Sequence, residues 1–301
     1  MCKAPILHVI KMKTKHFFLF LSLGLLLACR SGQWHYQRSH VLDPIAAEVS
    51  GLKIRGDTCW IHNDSGGTPT LYALGKKGQL LDSLLIPGAQ NVDWEDLSQD
   101  DEGYFYAGDI GNNRNQRRDL TIYRWRKGDA QAGAIRFSYP DQQSFPPPRE
   151  QWNFDSEAFF WFQDSLFLFS KNRFQVGNYY TKLYAIPARP GTHVAVLKDS
   201  LFLEDRVVTG AAIRPDGQEI ALITYDFRPQ KLQKLKASLI LIQGFEGTDF
   251  LQAQTLYRKE VPPLQNGRQF EAIDYAGPST ILIATEKTPI NRPFVARLHL
   301  R

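Results

Sequence analysis

The sequence predicts an all-β chain folded as a single β-propeller of four-stranded blades. Three observations lead there. The 301 residues include 19 Phe, 12 Tyr and 6 Trp beside 22 Gly and 17 Pro, a mixture suited to short strands and tight turns. A four-strand unit recurs along the chain, the mark of a repeat architecture. No segment after residue 30 carries a helical apolar period.

Each unit opens on a strand with acidic or small residues. A short turn leads to an apolar strand ending in polar residues, and two more strands usually follow. The first unit covers 48–52, 59–64, 70–74 and 79–86. The second covers 92–97, 105–109, 120–125 and 133–139, and the third 154–162, 165–172, 182–186 and 192–197. The fourth covers 207–213, 219–226, 237–242 and 253–259. The fifth has three strands only, at 269–275, 280–287 and 293–300. A spare β-like run at 34–42 would supply its missing strand and close the ring. Five blades are expected over residues 34–301, or six if segment 140–152 hides another. That segment carries a Pro run and reads better as a loop, as does the polar stretch 228–236.

Residues 1–28 hold four Lys and no acid, which leaves 32 basic residues against 31 acidic ones in the remainder. The net charge of +5 therefore belongs largely to a leader, and a nucleic-acid surface is disfavoured. The leader has a basic segment, 11–16, and an apolar run, 17–28, too short for an ordinary membrane span. A start at Met12 would make it a more ordinary signal peptide. The ending Leu26-Leu27-Ala28-Cys29 resembles a bacterial lipobox. That resemblance implies cleavage before Cys29 and lipid on its thiol, with 29–33 as a short linker. Acyl chains would anchor the chain without a membrane-spanning helix. Arg30 and Ser31 follow, with no Asp beside Cys29, which points to the outer membrane of a Gram-negative host. Cys2 lies in the leader, so Cys59 is left alone, and its apolar context marks a buried strand residue.

The strings HNDSGG (62–67), DWEDL (93–97) and GDIGNN (108–113) resemble a group of uncharacterised bacterial propeller proteins. EVSGL at 48–52 is more remotely similar to SdiA-regulated, esterase-like phytase and gluconolactonase-type propellers. The resemblance spans 46–275 and implies the fold. Asn113 stands where the group often has Asp, and the tandem acidic motif of calcium phytases is missing.

In a propeller the start of each first strand lies beside the end of the second. Strand-one starts carry Glu48, Asp93, Glu95, Asp96, Asp155, Glu157 and Glu271. Strand-two ends carry His62, Asn63, Asp64, Asp109, Lys171, Asn172, Asp226, Glu286 and Lys287. All should converge, with Asn112, on one mouth of the central channel. Carboxylates crowded on one axis repel unless protons or a cation relieve them. Oxygen ligands suit calcium or another hard divalent cation. The candidate metal set is Glu48, Asn63, Glu95, Asp96, Asp109, Glu157 and Glu271, with Glu95, Asp96 and Asp109 as the tightest trio. Lys171, Arg173 and Lys287 could neutralise the ring instead. His62, beside Asp64, is the candidate general base.

The sequence lacks a P-loop, HExxH, CxxC, GxSxG and G-x-G-x-x-G, so nucleotide, zincin, redox and α/β-hydrolase readings have no support. The expectation is a monomeric, lipid-anchored envelope protein that binds a small ligand or partner at an acidic mouth. No cofactor beyond the divalent cation is expected. The alternatives are a metal-assisted hydrolase of a phosphoester, ester or lactone, and a non-catalytic scaffold.

Overall fold

The computed structural model describes residues 35–226, 236–261, 269–289 and 292–300. The leader, Cys29, the linker and nearly all of the 228–236 stretch lie outside the described residues.

The strands assemble as five sheets, each built on a four-stranded antiparallel blade, and one of them carries a fifth strand. Blade 1 holds β2 (Val49–Arg55), β3 (Thr58–Asn63), β4 (Thr70–Leu74) and β5 (Leu80–Leu85). Blade 2 holds β6 (Trp94–Gln99), β7 (Phe105–Asp109), β8 (Thr121–Trp125) and β9 (Gly133–Ser138). Blade 3 holds β10 (Ser156–Phe162), β11 (Ser165–Ser170), β12 (Tyr180–Pro187) and β14 (Val196–Phe202). Blade 4 holds β15 (Val207–Ile213), β16 (Glu219–Tyr225), β17 (Ala237–Gln243) and β18 (Thr255–Glu260). Blade 5 holds β19 (Phe270–Gly277), β20 (Thr280–Thr285) and β21 (Phe294–His299), with β1 (His35–Val41) antiparallel on β21. The inner strands β2, β6, β10, β15 and β19 touch in that cyclic order, and β19 returns to β2. The fold is a five-bladed β-propeller. Segment 140–152 holds no sixth blade but a loop with one 3-10 turn at Arg149–Gln151.

The core explains why the strands read as nearly continuous apolar runs. Each of five apolar clusters lies between two neighbouring blades. In β16, Ile220 and Leu222 face blade 3, while Ala221 and Ile223 face blade 5. Alternation along the strand therefore sorts side chains between two interfaces rather than between core and water.

One expected strand divides in two. Segment 192–197 should be the outer strand of blade 3. Instead β13 (Gly191–Val194) pairs parallel with β9 of blade 2, and the chain then crosses to β14 of blade 3. The crossing falls at Ala195, whose N–H donates to Ser138 O at 2.9 Å. Its small buried side chain fits the cluster between the two blades.

A bulge recurs where each inner strand meets its second strand. The register shifts between Val49 and Gly51, Trp94 and Leu97, Ser156 and Ala158, Val208 and Gly210, and Phe270 and Ala272. A bulge re-aims side chains and bends the strand. In order round the ring these sites carry Ser50-Gly51, Glu95-Asp96, Glu157-Ala158, Thr209-Gly210 and Glu271-Ala272. The second residue is Gly or Ala in four blades because the axis is crowded. A Cβ on Gly51 would fall 2.3 Å from His62 Nε2.

Asp96 takes that position in blade 2, and its side chain crosses the axis. It has no exposed surface. Its carboxylate accepts main-chain N–H groups from Leu97 (2.8 Å), Phe159 (3.0 Å) and Ala211 (3.4 Å), which ties blade 2 to blades 3 and 4. Ser98 Oγ accepts the Trp161 N–H (2.9 Å), Thr209 Oγ1 donates to Phe270 O (2.8 Å), and Asp274 accepts the Ile54 N–H (2.7 Å).

Asp96→Ala would strand three buried N–H groups, a loss of about 3 kcal/mol or more at the usual cost of such groups. The melting temperature should fall by about 5–10 °C. Asp96→Asn keeps one acceptor oxygen and should lose less. A wild-type melt for Asp96→Ala would remove the carboxylate as the tie between blades.

Candidate functional site

The strand-one starts and strand-two ends meet at one mouth of the channel, and the HNDSG, DWEDL and GDIGNN strings build its acidic half. In the first, Asn63 accepts the Glu48 N–H (3.3 Å) and donates to Ile45 O (2.7 Å). Asn91 Nδ2 donates to Asp64 O (2.7 Å) and fixes the turn that carries Asp64. In the second, Asp93 and Glu95 alternate with Trp94, which is fully buried and meets the His62 ring edge-on at 5.1 Å. In the third, Gly111 lies directly on the acids. A Cβ there would fall 2.2 Å from Glu95 Oε1 and 2.3 Å from Asp93 Oδ2.

Asp64, Asp93 and Glu95 each place an oxygen within 4.8 Å of the others. Glu95 is only 5% exposed, and its carboxylate accepts no hydrogen bond from a described residue. A buried carboxylate without a donor calls for a proton or a cation. Burial, then Asp64 and other acids, push the Glu95 carboxyl well above its ordinary range. Burial and the neighbouring Asp155 also raise Asp93. Asp64 is pushed up to about 7 by burial, then by Asp93 and Glu271. Glu286 is pushed up to about 9 by burial, then by repulsion from Glu271 and a hydrogen bond to it.

The rest of the mouth neutralises itself. Arg173 Nη2 reaches Asp155 at 2.6 Å, and Arg117 Nη1 reaches Asp109 at 3.0 Å. The Lys171 ammonium pairs with one oxygen of Glu157, whose other oxygen is buried without a partner. No cation among the described residues pairs with Asp64, Asp93, Glu95, Glu271 or Glu286. The mouth is thus divided: acids of blade 3 and Asp109 are paired, whereas the group between blades 5, 1 and 2 is not.

Several predicted site residues hold the fold instead. The expected trio was Glu95, Asp96 and Asp109, but only Glu95 joins the cluster. Asp96 is consumed on the axis and Asp109 by Arg117 and the Asp93 N–H (2.9 Å). Asn112 is buried; its Oδ1 accepts the Gln116 and Arg117 N–H groups and its Nδ2 donates to Phe154 O (2.8 Å). Asn172 Nδ2 donates to Arg206 O (2.9 Å). Glu48 and Lys287 are exposed, and Asp226 is half-buried, its N–H donating to Lys236 O (3.1 Å). Glu271 sits with Glu286 and accepts from Gln269 Nε2 (3.0 Å).

His62 has no exposed surface, and its ring nitrogens face Asn63 O and Asp96 O, each at 3.1 Å. Burial pulls its pKa down to about 4 against the pull of those carbonyls. That geometry makes it a neutral packing and hydrogen-bonding residue rather than a base open to a substrate. Cys59 is half-buried in β3, and burial, then Asp274, push its thiol up to about 12. Asp93 was passed over in choosing the expected trio. The signal for it was present, because strand residues two apart share a face and Asp93 pairs in this way with Glu95.

The fold and the acidic mouth define a propeller with one unneutralised carboxylate cluster. No family model matches the chain, and no curated protein matches it. Solved structures are similar to it at low identity. A glucose dehydrogenase matches at 10% identity and a TM-score of 0.48, over 89% of this chain and 100% of that one. The PQQ-bound aldose sugar dehydrogenase of Streptomyces coelicolor gives 10% and 0.47, over 89% and 99%. The extracellular domain of a one component system from B. thetaiotaomicron gives 12% and 0.35, over 84% of this chain and 27% of that one. This chain therefore spans about a quarter of the length of that protein. No helix among the described residues is long and apolar enough to cross a membrane.

The raised carboxyls fix a pH dependence. Asp64 and Glu286 ordinarily titrate at 3.8 and 4.5, so near neutrality the folded chain holds protons that the unfolded chain releases. Their contribution to stability is full below those values and is lost as pH rises through about 7 and about 9. In metal-free buffer the melting temperature should fall from pH 6.5 to 9, and Glu286→Gln should flatten the alkaline part. A flat or rising profile would show that these groups are already charged at neutral pH.

Proposed function

We propose that this chain is an exported, lipid-anchored propeller that holds a divalent cation, calcium for preference, at its acidic mouth. Asp64, Asp93 and Glu95 are the cation's ligands, and the open side of the mouth receives an oxygen-bearing small ligand or a partner's acidic group. The observation that carries this reading is Glu95, buried, without a hydrogen-bond donor and within 4.8 Å of two more carboxylates. Three hard oxygen ligands suit calcium or magnesium, and a cation would relieve the repulsion that otherwise requires protons. Gly111 supports the reading, since any side chain there would push the two acids apart. Export and anchoring rest on the leader and on Cys29.

Turnover is the second reading, with a cation at the cluster polarising a bound ligand and Glu286, outside the ligand trio and pushed up to about 9, as the group that holds a proton. A carboxyl that keeps its proton at neutral pH suits donation to a ligand held by the cation.

Elemental analysis of the full-length protein, purified in detergent, should find about one divalent cation per chain. Calcium at saturating excess should add about 3 kcal/mol, a rise in melting temperature of about 5 °C or more. Glu95→Gln, Asp64→Asn and Gly111→Ala should each abolish that rise. No bound metal and no calcium response in the wild type would sink the proposal. In cells, Cys29→Ser should move the chain from the membrane fraction to the soluble one.

A further inference from the structure

The opposite mouth of the channel opens into a cavity of about 880 Å³ between the turns that follow the inner strands of blades 1 to 4. Its apolar lining includes Trp161, Pro187, Pro190 and Pro215. Much of the charge at this mouth is already used. Lys53 pairs with Asp274 (2.9 Å), Arg214 with Asp216 (2.8 Å), and Arg124 with Glu102 (3.6 Å) and Asp100 (3.7 Å). Four lining charges are not. Arg55 bonds only neutral acceptors: the Gln99 side chain and the main-chain oxygens of Gln99 (3.3 Å) and Asp100 (3.0 Å). Arg189, Asp101 and Asp164 are exposed and have no ion-pair partner among the described residues.

Two further features set the lining of this cavity apart. Trp94, Trp125 and Trp152 each donate the indole N–H to a main-chain oxygen, whereas those of Trp161, at the cavity, and Trp60 have no acceptor among the described residues. The turn joining β10 to β11 holds Gln163 (φ 46°) and Asp164 (φ 59°) in the left-handed region. The corresponding turns of blades 1, 2 and 4 place Gly56, Gly103 and Gly217 there. A two-residue hairpin, here between Phe162 and Ser165, requires this conformation at both positions, and it sets two polar side chains at the lip of the cavity where blades 1, 2 and 4 have Gly.

We propose that this cavity binds a short peptide with free termini. Two unspent guanidinium groups suit its carboxylate, two unspent carboxylates suit its ammonium, and the Trp and Pro lining suits its side chains. A simple anion or an uncharged sugar would leave one pair of charges unanswered. This site lies across the molecule from the acidic cluster and does not depend on a cation there.

The test uses the full-length protein and a mixed tripeptide library at millimolar concentration, read by equilibrium dialysis and by tryptophan fluorescence. Peptides with free termini should be retained and should alter the fluorescence. The same library, acetylated and amidated, should bind at least about tenfold more weakly, a difference of about 1.4 kcal/mol. Arg189→Gln, at an exposed position, and Trp161→Phe should each weaken binding by a similar factor while the calcium response stays intact. If no peptide is retained, the proposal fails. Equal retention of blocked peptides, or binding insensitive to Arg189→Gln, overturns it too.

Discussion

Five strands meeting round one axis leave almost no room for side chains, and the rest of this molecule follows from that crowding. Four blades answer it with Gly or Ala at the inner bulge, and blade 2 answers it with Asp96. One carboxylate then serves three main-chain donors on three blades. A second carboxylate there would meet the first in a fully buried site. The asymmetry of the ring is therefore imposed at its centre, although the blades repeat.

The same bulge determines what the mouth can do. Its first residue is Ser50, Glu95, Glu157, Thr209 or Glu271; the two hydroxyls donate to main-chain oxygens of the next blade, and the three acids are left at the mouth. Whether such a carboxylate is a structural or a reactive group depends on its neighbour on the second strand. Blade 3 supplies Lys171 opposite Glu157, so that pair is spent on itself. Blade 5 supplies Glu286 opposite Glu271, and blade 1 brings Asp64 to Glu95, so those acids oppose one another. Burial magnifies the opposition, because little water remains to screen it. A propeller of near-equivalent blades thereby acquires one region able to take a cation or share protons.

The two ends of the channel differ in chemistry as well as position. One end gathers acids that burial keeps partly protonated. The other opens into a cavity lined by charges of both signs together with Trp161 and three Pro residues. The acids of the one come from strand-one starts and strand-two ends, and the lining of the other from the turns at the opposite ends of those strands, so each can be altered by substitution without removing the other.

Much of the fold was legible along the chain, because strand length, turn glycines and apolar alternation are local properties. Five repeats, the first-strand positions and the placing of polar groups at strand-one starts and strand-two ends could all be read there. The division of 192–197 between two blades could not, since an edge strand's pattern does not say which edge it joins. For the site, composition marked the acids but not their grouping. Glu95 and Asp96 are neighbours in sequence, yet one faces the mouth and the other crosses the axis. Asp64 and Asp93 are 29 positions apart and meet. Arg117, Lys171 and Arg173 decide which carboxylates are spent. Charge acts through space, so only the tertiary structure could sort paired acids from unpaired ones.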